Sequence, residues 1–286
     1  MDFNNVYLWI GFGVIVTVLL ALDLGVFHRK SHAVNTREAA IWVGVWVTLA
    51  LIFNLAIYIW HGHETALEYF TGYIIEYSLS IDNLFVFVMI FGSFCVKPAQ
   101  QHRVLFWGIL GALIMRGIMI ATGAALIERF FWIIYIFGAF LIFTGIKMGV
   151  KKETDPHPDK NPIVQLARRF LPMETDDHDG KFFVKSGGKL FITPLFLVLL
   201  TVETTDLVFA LDSIPAIFAI TTNTFVIYTS NIFAILGLRS LYFLLAGMVT
   251  KFYYLQTSLA VILTYVGIKM IISHFYKIPT VASLVF

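Results

Sequence analysis

The chain has 286 residues, of which 59% are hydrophobic and 13% charged, and its mean hydropathy is +0.83. Because soluble domains carry about 25% charged residues, this composition excludes an ordinary soluble protein and indicates a chain that lies in lipid. The net charge of +2 gives no reason to expect a nucleic-acid partner. The single cysteine, Cys95, excludes an intramolecular disulfide and a metal site with several thiolate ligands.

Eight apolar runs are long enough to cross a bilayer, so the sequence predicts an all-α polytopic membrane protein. The first run is long and is followed by Arg29 and Lys30, which indicates a retained helix rather than a cleaved signal peptide. Residues 276–286 resemble the start of a ninth helix, either truncated or interfacial. The predicted spans cover 6–27, 39–60, 73–95, 104–127, 131–149, 193–220, 226–248 and 256–275.

The basic residues predict the orientation of the chain in the membrane. Of the 20 Lys and Arg residues, 14 fall in the loops that follow the odd-numbered predicted spans, and a fifteenth, Lys147, lies at the same end of the fifth span. By the positive-inside rule, the N-terminus lies outside and the long 150–192 loop lies in the cytoplasm. Within that loop, residues 163–171 have the apolar spacing of a surface helix. The acidic cluster at 176–179 is interpreted as a solvated turn, with a metal-sensing role as the alternative.

Residues 73–149 and 193–275 form two copies of one three-helix unit, preceded by two N-terminal helices in 1–72. We call these copies repeat unit one and repeat unit two. Their markers recur in the same order: Glu76 matches Asp206, Arg116 matches Arg239, and the sequence Gly-Ile-Lys-Met begins at both Gly145 and Gly267. Because each unit has an odd number of spans, the second copy must enter the membrane from the opposite side. Inverted repeats of this kind are typical of secondary transporters.

Each repeat unit begins with acidic side chains inside an apolar segment. A carboxylate at the centre of a membrane helix costs about 2.5–3.5 kcal/mol on insertion scales, so we expect these acids to be protonated, paired or bound to cations. Carboxylate, amide and hydroxyl oxygens suit hard ions such as Mg²⁺, Ca²⁺ and Mn²⁺. The predicted metal ligands are Glu76, Asp82, Glu203, Asp206 and Asp212.

On an unbroken helix, Asp206 and Asp212 are about 600° apart and do not share a face. Convergence on one ion therefore requires the helix to unwind, and we predict a break at Pro215, which lacks a backbone donor. Other polar side chains are expected to support the loosened backbone or complete the ligand shell. These are Ser80, Asn83, Ser213 and Asn231.

Two alternatives concern the charged residues around this site. Arg116 and Arg239 either form purely structural ion pairs with two of the acids, or hold the carboxylates when the ion is absent and so stabilise an empty occluded state. Asp23 lies near a predicted helix end, where pairing with Arg29 or Lys30 is favoured over metal ligation. Two facing Asp-bearing helices also suit an intramembrane protease, but no Gly-x-Gly-Asp sequence follows, so we expect no enzymatic activity.

The acidic segments resemble those of the TerC family of integral membrane proteins, specifically its Alx-like branch, within the LysE superfamily of exporters. The resemblance rests on Glu76-x-Ser78-x-x-x-Asp82-Asn83, on the segment from Glu203 to Ala216, and on Ser230–Arg239, and it covers nearly the whole chain. It implies manganese export across a bacterial inner membrane, with the five carboxylates matching the family's acidic positions. Metal–proton exchange is physically reasonable for such a site.

The partners expected from the sequence are the transported ion and the lipid bilayer, with no organic cofactor and no obligate protein partner. Two other functions stay open at this point. One is transport of a different cation, either Ca²⁺ or a monovalent ion coupled to protons. The other is a role in membrane-protein assembly, as in plastid relatives.

Overall fold

The structure is a computed structural model that describes residues 6–25, 36–130, 132–150, 180–186, 189–246 and 255–272, together with residues 165 and 173. These residues form a bundle of helices with one short β-hairpin. The helices are α1 (Val6–Gly25), α2 (Thr36–His61), α3 (His63–Ser93), α4 (Pro98–Arg129), α5 (Ile133–Val150), α6 (Pro194–Phe218), α7 (Thr224–Leu236), α8 (Leu238–Ala246) and α9 (Leu255–Ile272). The strands are β1 (Phe183–Ser186) and β2 (Lys189–Ile192).

Five of the described helices, α2 to α6, are long and apolar enough to cross a membrane. The bent pair of α7 and α8 makes a sixth candidate if it is counted as one span. Two further helices contain shorter apolar stretches, Val6–Leu22 and Ala260–Ile272. The prediction of an all-α polytopic membrane protein is therefore confirmed, whereas the count of eight spans stays a prediction.

The predicted span 226–248 is not one straight helix. Its residues divide into α7 and α8, which are bent by 41° around Gly237. Trp46 of α2 packs on this bend, and a Cβ added at Gly237 would lie 3.3 Å from the Trp46 Cβ. A glycine lets a large neighbouring side chain approach the backbone closely, which is why a helix can turn at this position.

The sequence predicts a loop at 150–192, but the described end of this segment contains the antiparallel β1–β2 hairpin. The strands pair in register, with Phe183 opposite Ile192 and Ser186 opposite Lys189. Thr193 joins the hairpin to α6, because its hydroxyl donates to the Lys181 carbonyl at 2.7 Å and accepts from the Phe196 amide at the start of the helix. The predicted surface helix at 163–171, apart from residue 165, and the acidic cluster at 176–179 lie outside the described residues. So do 276–286, which include the predicted start of a ninth helix.

The first helices of the two repeat units, α3 and α6, pack together at the centre of the bundle. They run antiparallel, since Gly72 near the start of α3 approaches Ile217 near the end of α6. α4 packs mainly on α6, and α3 packs mainly on α7. α1 and α2 cover one flank of this core through an aromatic cluster that includes Phe12, Phe53 and Phe225.

The third helices, α5 and α9, form the most extensive helix pair and meet through close glycine contacts. A Cβ added at Gly145 would lie 2.8 Å from the Ala260 carbonyl oxygen, and one added at Gly267 would lie 2.7 Å from the Gly138 carbonyl oxygen. These two contacts are related by the sequence repeat, because 122 positions separate Gly138 from Ala260 and also Gly145 from Gly267. The tight backbone approach at this crossing therefore requires residues without bulky side chains.

We expect Gly267→Ala to destabilise the protein, because the new methyl group would meet backbone atoms of α5 that cannot rotate away. Overpacking of this kind costs about 1–3 kcal/mol. The matched control is Gly44→Ala on α2, where a Cβ meets nothing within 4 Å. Thermal unfolding of both variants in detergent measures the difference. Equal midpoints for Gly267→Ala and the wild type would contradict the tight crossing.

Candidate functional site

One buried face of α3 carries the first group of predicted site residues. Glu76, Ser80 and Asn83 are spaced four and three residues apart, so they share one side of the helix. All three residues are buried within the bundle. The repeat therefore begins with a polar stripe that faces other helices rather than lipid.

A corresponding face exists on α6. Asp206, Ala210 and Ser213 have the same spacing as the α3 stripe and lie 130 positions further along the chain. They are also buried. The stripes on the two central helices thus place one carboxylate from each repeat unit at the same relative position.

Arg116 of α4 joins the two carboxylates. Its Nε donates to Asp206 Oδ2 at 3.2 Å and its Nη2 donates to Asp206 Oδ1 at 3.0 Å, while Nη1 forms an ion pair with Glu76 Oε1. The relative exposure is 0% for Glu76, 1% for Arg116 and 3% for Asp206. This buried triad has two acids and one guanidinium, so it carries one uncompensated negative charge when both acids are ionised. A charge is costly in the membrane interior, and an ionisable side chain that is kept there is typical of a functional site.

Several oxygen and nitrogen atoms on the same helices have no hydrogen-bond partner among the described residues. They include Ser80 Oγ on α3, Ser213 Oγ on α6, and both side-chain amide atoms of Asn231 on α7. A buried polar atom without a partner is costly, and native proteins usually satisfy it with water or an ion. The residues predicted from the sequence as supporting groups therefore offer donors and acceptors that the protein itself does not use. Arg239 on α8 is buried as well.

Glu203 lies beside the triad but uses a different neighbour. Its carboxylate rests directly on the backbone of Gly111, where an added Cβ would overlap it. Glu203 and Asp206 are three residues apart on α6 and repel each other electrostatically. Gly111 is not among the residues predicted from the sequence, although its spacing of three residues from Gly108 was a signal of a small-residue face on α4.

Asp212 does not join this group. It interacts instead with Thr144 and Lys147 of α5, on another side of α6. The side chain of Asp82 lies outside the described residues, as does that of Asp23. Among the side chains that the structure describes, no three His, Cys, Asp or Glu residues come close enough to hold one metal ion. Asp212 therefore does not converge with Glu76 and Asp206, and the contribution of Asp82 stays a prediction.

The predicted helix break at Pro215 is not observed either. α6 continues through Pro215 and ends at Phe218, and the Pro215 carbonyl accepts a hydrogen bond from the Ala219 amide. The proline removes one donor near the end of the helix, where a lost hydrogen bond is readily tolerated because neighbouring groups compensate. Since α6 stays wound between Asp206 and Asp212, these two acids remain on different faces.

A second charged group was also missed. Glu68 of α3 is hydrogen-bonded to Thr221 and interacts electrostatically with the buried Lys269 of α9. Lys269 and Lys147 are the lysines of the repeated Gly-Ile-Lys-Met sequence, and each now has a carboxylate partner on a central helix. The repeated lysine was the available signal, but spacing within one helix did not identify its partner.

Comparison of the sequence with known proteins identifies the family of the chain. A profile described as the integral membrane protein TerC family matches residues 61–286, which include the Arg116 triad and both repeat units. The chain belongs to the TerC family. An uncharacterized membrane protein of Myxococcus xanthus is 52% identical to this TerC protein over 97% of the chain and 87% of the relative. No solved structure matches the chain.

A second relative comes from Escherichia coli (strain K12) and is 50% identical over 97% of this TerC protein and 89% of its own length. Its name reads "Putative membrane-bound redox modulator Alx". A membrane protein of Rickettsia bellii is 43% identical over 96% of the chain and 91% of its own length.

Proposed function

We propose that this TerC protein is a secondary transporter of the bacterial cytoplasmic membrane that exports a divalent metal ion, most specifically Mn²⁺. The ion would leave the cytosol through the carboxylate site between α3 and α6, in exchange for protons. In the proposed orientation the N-terminus lies outside and the 150–192 segment lies in the cytoplasm.

The observation that carries the proposal is the Arg116 triad. One acid comes from the first helix of each repeat unit, and both acids are fully buried at the centre of the bundle. Arg116 neutralises one of the two charges and can be replaced in that role by a cation. A divalent ion bound by both carboxylates would release the guanidinium, while Ser80, Ser213 and Asn231 supply further oxygen atoms.

The packing of the helices supports an inverted repeat. α3 and α6 are antiparallel, and so are α5 and α9. In the α5–α9 pair, adding 122 to the residue number of one contact partner on α5 gives the α9 partner of the other contact. Both features are expected for two units related by a two-fold axis in the membrane plane. In transporters of this kind the substrate site lies where the two units meet, near the middle of the bilayer.

The redox name of the Escherichia coli relative suggests a different chemistry, but a dithiol–disulfide cycle within this chain is excluded. Its one cysteine, Cys95, is exposed at the end of α3 and is distant in sequence from the triad. A dithiol–disulfide cycle within one chain requires two cysteines. Cation transport gives the buried Glu76 and Asp206 a role. A thiol-based function does not.

Mn²⁺ accumulation in cells tests the function. In a strain without manganese efflux, wild-type protein should lower cellular Mn²⁺, whereas Asp206→Asn should leave it at the level of cells that lack the protein. The sequence predicts the same loss for Asp82→Ala. The matched control is Glu128→Gln, which removes an exposed carboxylate at the end of α4 and should behave like the wild type. Normal export by Asp206→Asn would refute the site.

Metal selectivity requires a separate measurement. Purified protein should bind Mn²⁺, and competition with Ca²⁺ and Mg²⁺ ranks the ions directly. Stronger binding of Ca²⁺ than of Mn²⁺ would replace the proposed substrate with a different cation while leaving the transporter assignment in place.

A further inference from the structure

The structure contains a small cavity next to the Arg116 triad. It has a volume of about 10 Å³, and Asp206 forms part of its wall. That volume corresponds to about one water molecule. The other lining residues are Leu84 and Phe87 of α3, Leu105, Gly108, Ile109 and Ala112 of α4, Val202 of α6 and Leu238 of α8.

The cavity lies on the side of the triad that faces the basic loops. On α6 it extends from Asp206 to Val202, which lies one turn nearer the start of that helix. Its α4 wall begins at Leu105, close to Lys97 and Arg103 in sequence. In the proposed orientation this is the cytoplasmic side, so the cavity lies between the cytosol and Asp206.

On the opposite side of the triad the helices are in close contact. A Cβ added at Gly72 of α3 would lie 3.1 Å from Ser230 Oγ and 3.6 Å from the nearest Ile217 side-chain carbon. Ser230 and Ile217 are fully buried. We call this contact between Gly72, Ile217 and Ser230 the outer seam. Nearby, a Cβ at Gly123 of α4 would meet the Phe218 ring at 2.8 Å, which extends the close packing to a third helix.

The cavity and the outer seam occupy related positions in the two repeat units. Gly72 on α3 corresponds to Val202 on α6, which is 130 positions later. Ser230 on α7 lies one residue before Asn231, the counterpart of Gly108 on α4. The Gly72–Ser230 contact thus lies one residue from the repeat equivalent of the Gly108–Val202 contact beside the cavity. Both contacts are close, since a Cβ added at Gly108 would lie 3.2 Å from the Val202 side chain, but only the Gly108–Val202 contact adjoins a cavity that reaches an acid.

We propose that these two places are the alternating gates of the transport path. The ion reaches Asp206 through the cavity lined by Leu84, Phe87 and Leu238, and it leaves through the outer seam after the two repeat units exchange conformations. This inference rests on the proposed transport function. It names the residues that must move apart during transport. Only one of the two gates is open at a time.

A reversible cross-link tests the outer gate. A Cβ added at Gly72 would lie 3.6 Å from the Ser230 Cβ, which is within the range of about 3.5–4.5 Å for a disulfide. We would introduce Gly72→Cys and Ser230→Cys into a Cys95→Ala background and reconstitute the full chain in liposomes with a Mn²⁺-sensitive dye. Oxidation should reduce Mn²⁺ flux at least tenfold, and reduction with dithiothreitol should restore it. Each single cysteine should be insensitive to oxidation.

The matched control cross-links two helices that do not form the seam. A Cβ at Gly149 of α5 would lie 3.5 Å from the Ala260 Cβ of α9, so Gly149→Cys with Ala260→Cys forms an equivalent bond. α5 and α9 are the corresponding helices of the two repeat units. When the two units exchange conformations, the α5–α9 contact is therefore expected to stay in place. Oxidation of this pair should leave the flux unchanged.

The outcomes separate the two proposals. Flux that is equal before and after oxidation of the Gly72–Ser230 pair, with the disulfide verified by mass spectrometry, overturns the outer gate and leaves transport intact. Absence of Mn²⁺ flux in the Cys95→Ala protein with an otherwise native sequence overturns the transport function itself. Loss of flux in the oxidised Gly149–Ala260 control as well would also overturn the gate, because any tether between helices would then suffice.

Discussion

Replacing Arg116 with Gln is expected to destabilise the protein strongly and to abolish ion export. The change removes the guanidinium that contacts both Glu76 and Asp206 and leaves two carboxylates buried without a cation. Breaking a buried ion pair by removing one partner costs about 3–5 kcal/mol. Thermal unfolding in detergent should show a large fall in the midpoint, and cells should accumulate Mn²⁺ as if the protein were absent.

Arg239→Gln provides a comparison for that result, since Arg239 is the other buried arginine among the described residues and the repeat counterpart of Arg116. Arg116→Lys adds a second comparison, because lysine keeps the charge but cannot form the two parallel hydrogen bonds to Asp206. A lysine variant should recover part of the stability. An unfolding midpoint of Arg116→Gln equal to that of the wild type would show that the triad contributes nothing to folding.

The second large effect separates folding from transport. The triple variant Glu76→Gln, Arg116→Gln, Asp206→Asn replaces the whole triad with neutral amides, two of which match the shape of the acids that they replace. Replacing both partners of a buried ion pair is often close to neutral for stability, so the triple variant should be much more stable than Arg116→Gln alone. It should nevertheless export no Mn²⁺, because amide groups bind a divalent cation far less strongly than carboxylates do.

Export by the triple variant would identify the triad as a structural ion pair, which is the simpler interpretation of a buried arginine between two acids. Cell-surface amount, measured in the same cultures, controls for expression. Recovery of stability without recovery of export is the combination that only an ion-binding role explains.

The predictable part of the fold came from features that act along the chain. Apolar runs indicated the membrane helices, whereas the repeat indicated by markers such as Arg116 and Arg239 stays a prediction. The spacing of Asp206 and Asp212 showed correctly that an unbroken helix separates them. What failed was the next step, in which a required break was assigned to Pro215. Proline weakens a helix locally, but contacts with neighbouring helices decide whether it unwinds.

The candidate site depended on contacts between helices, which a single sequence does not encode directly. Glu76, Arg116 and Asp206 were each identified as buried charges, yet only the packing of α3, α4 and α6 shows that one arginine serves both acids. Gly111 was missed for the same reason, because its importance lies in the space that it leaves for Glu203. Thr144 and Lys147 became relevant to Asp212 only once α5 was placed beside α6.

The bend at Gly237 has a consequence for how the two repeat units share one sequence pattern. α4 stays a single helix through Arg116, whereas its counterpart divides into α7 and α8 before Arg239, so the units differ in shape. Trp46, which packs on the bend, belongs to α2, a helix without a copy in the repeat. The N-terminal helices, which are not duplicated, therefore contact repeat unit two at its bend. This contact makes the two repeat units unequal, so it can favour one of the two conformations of the protein over the other.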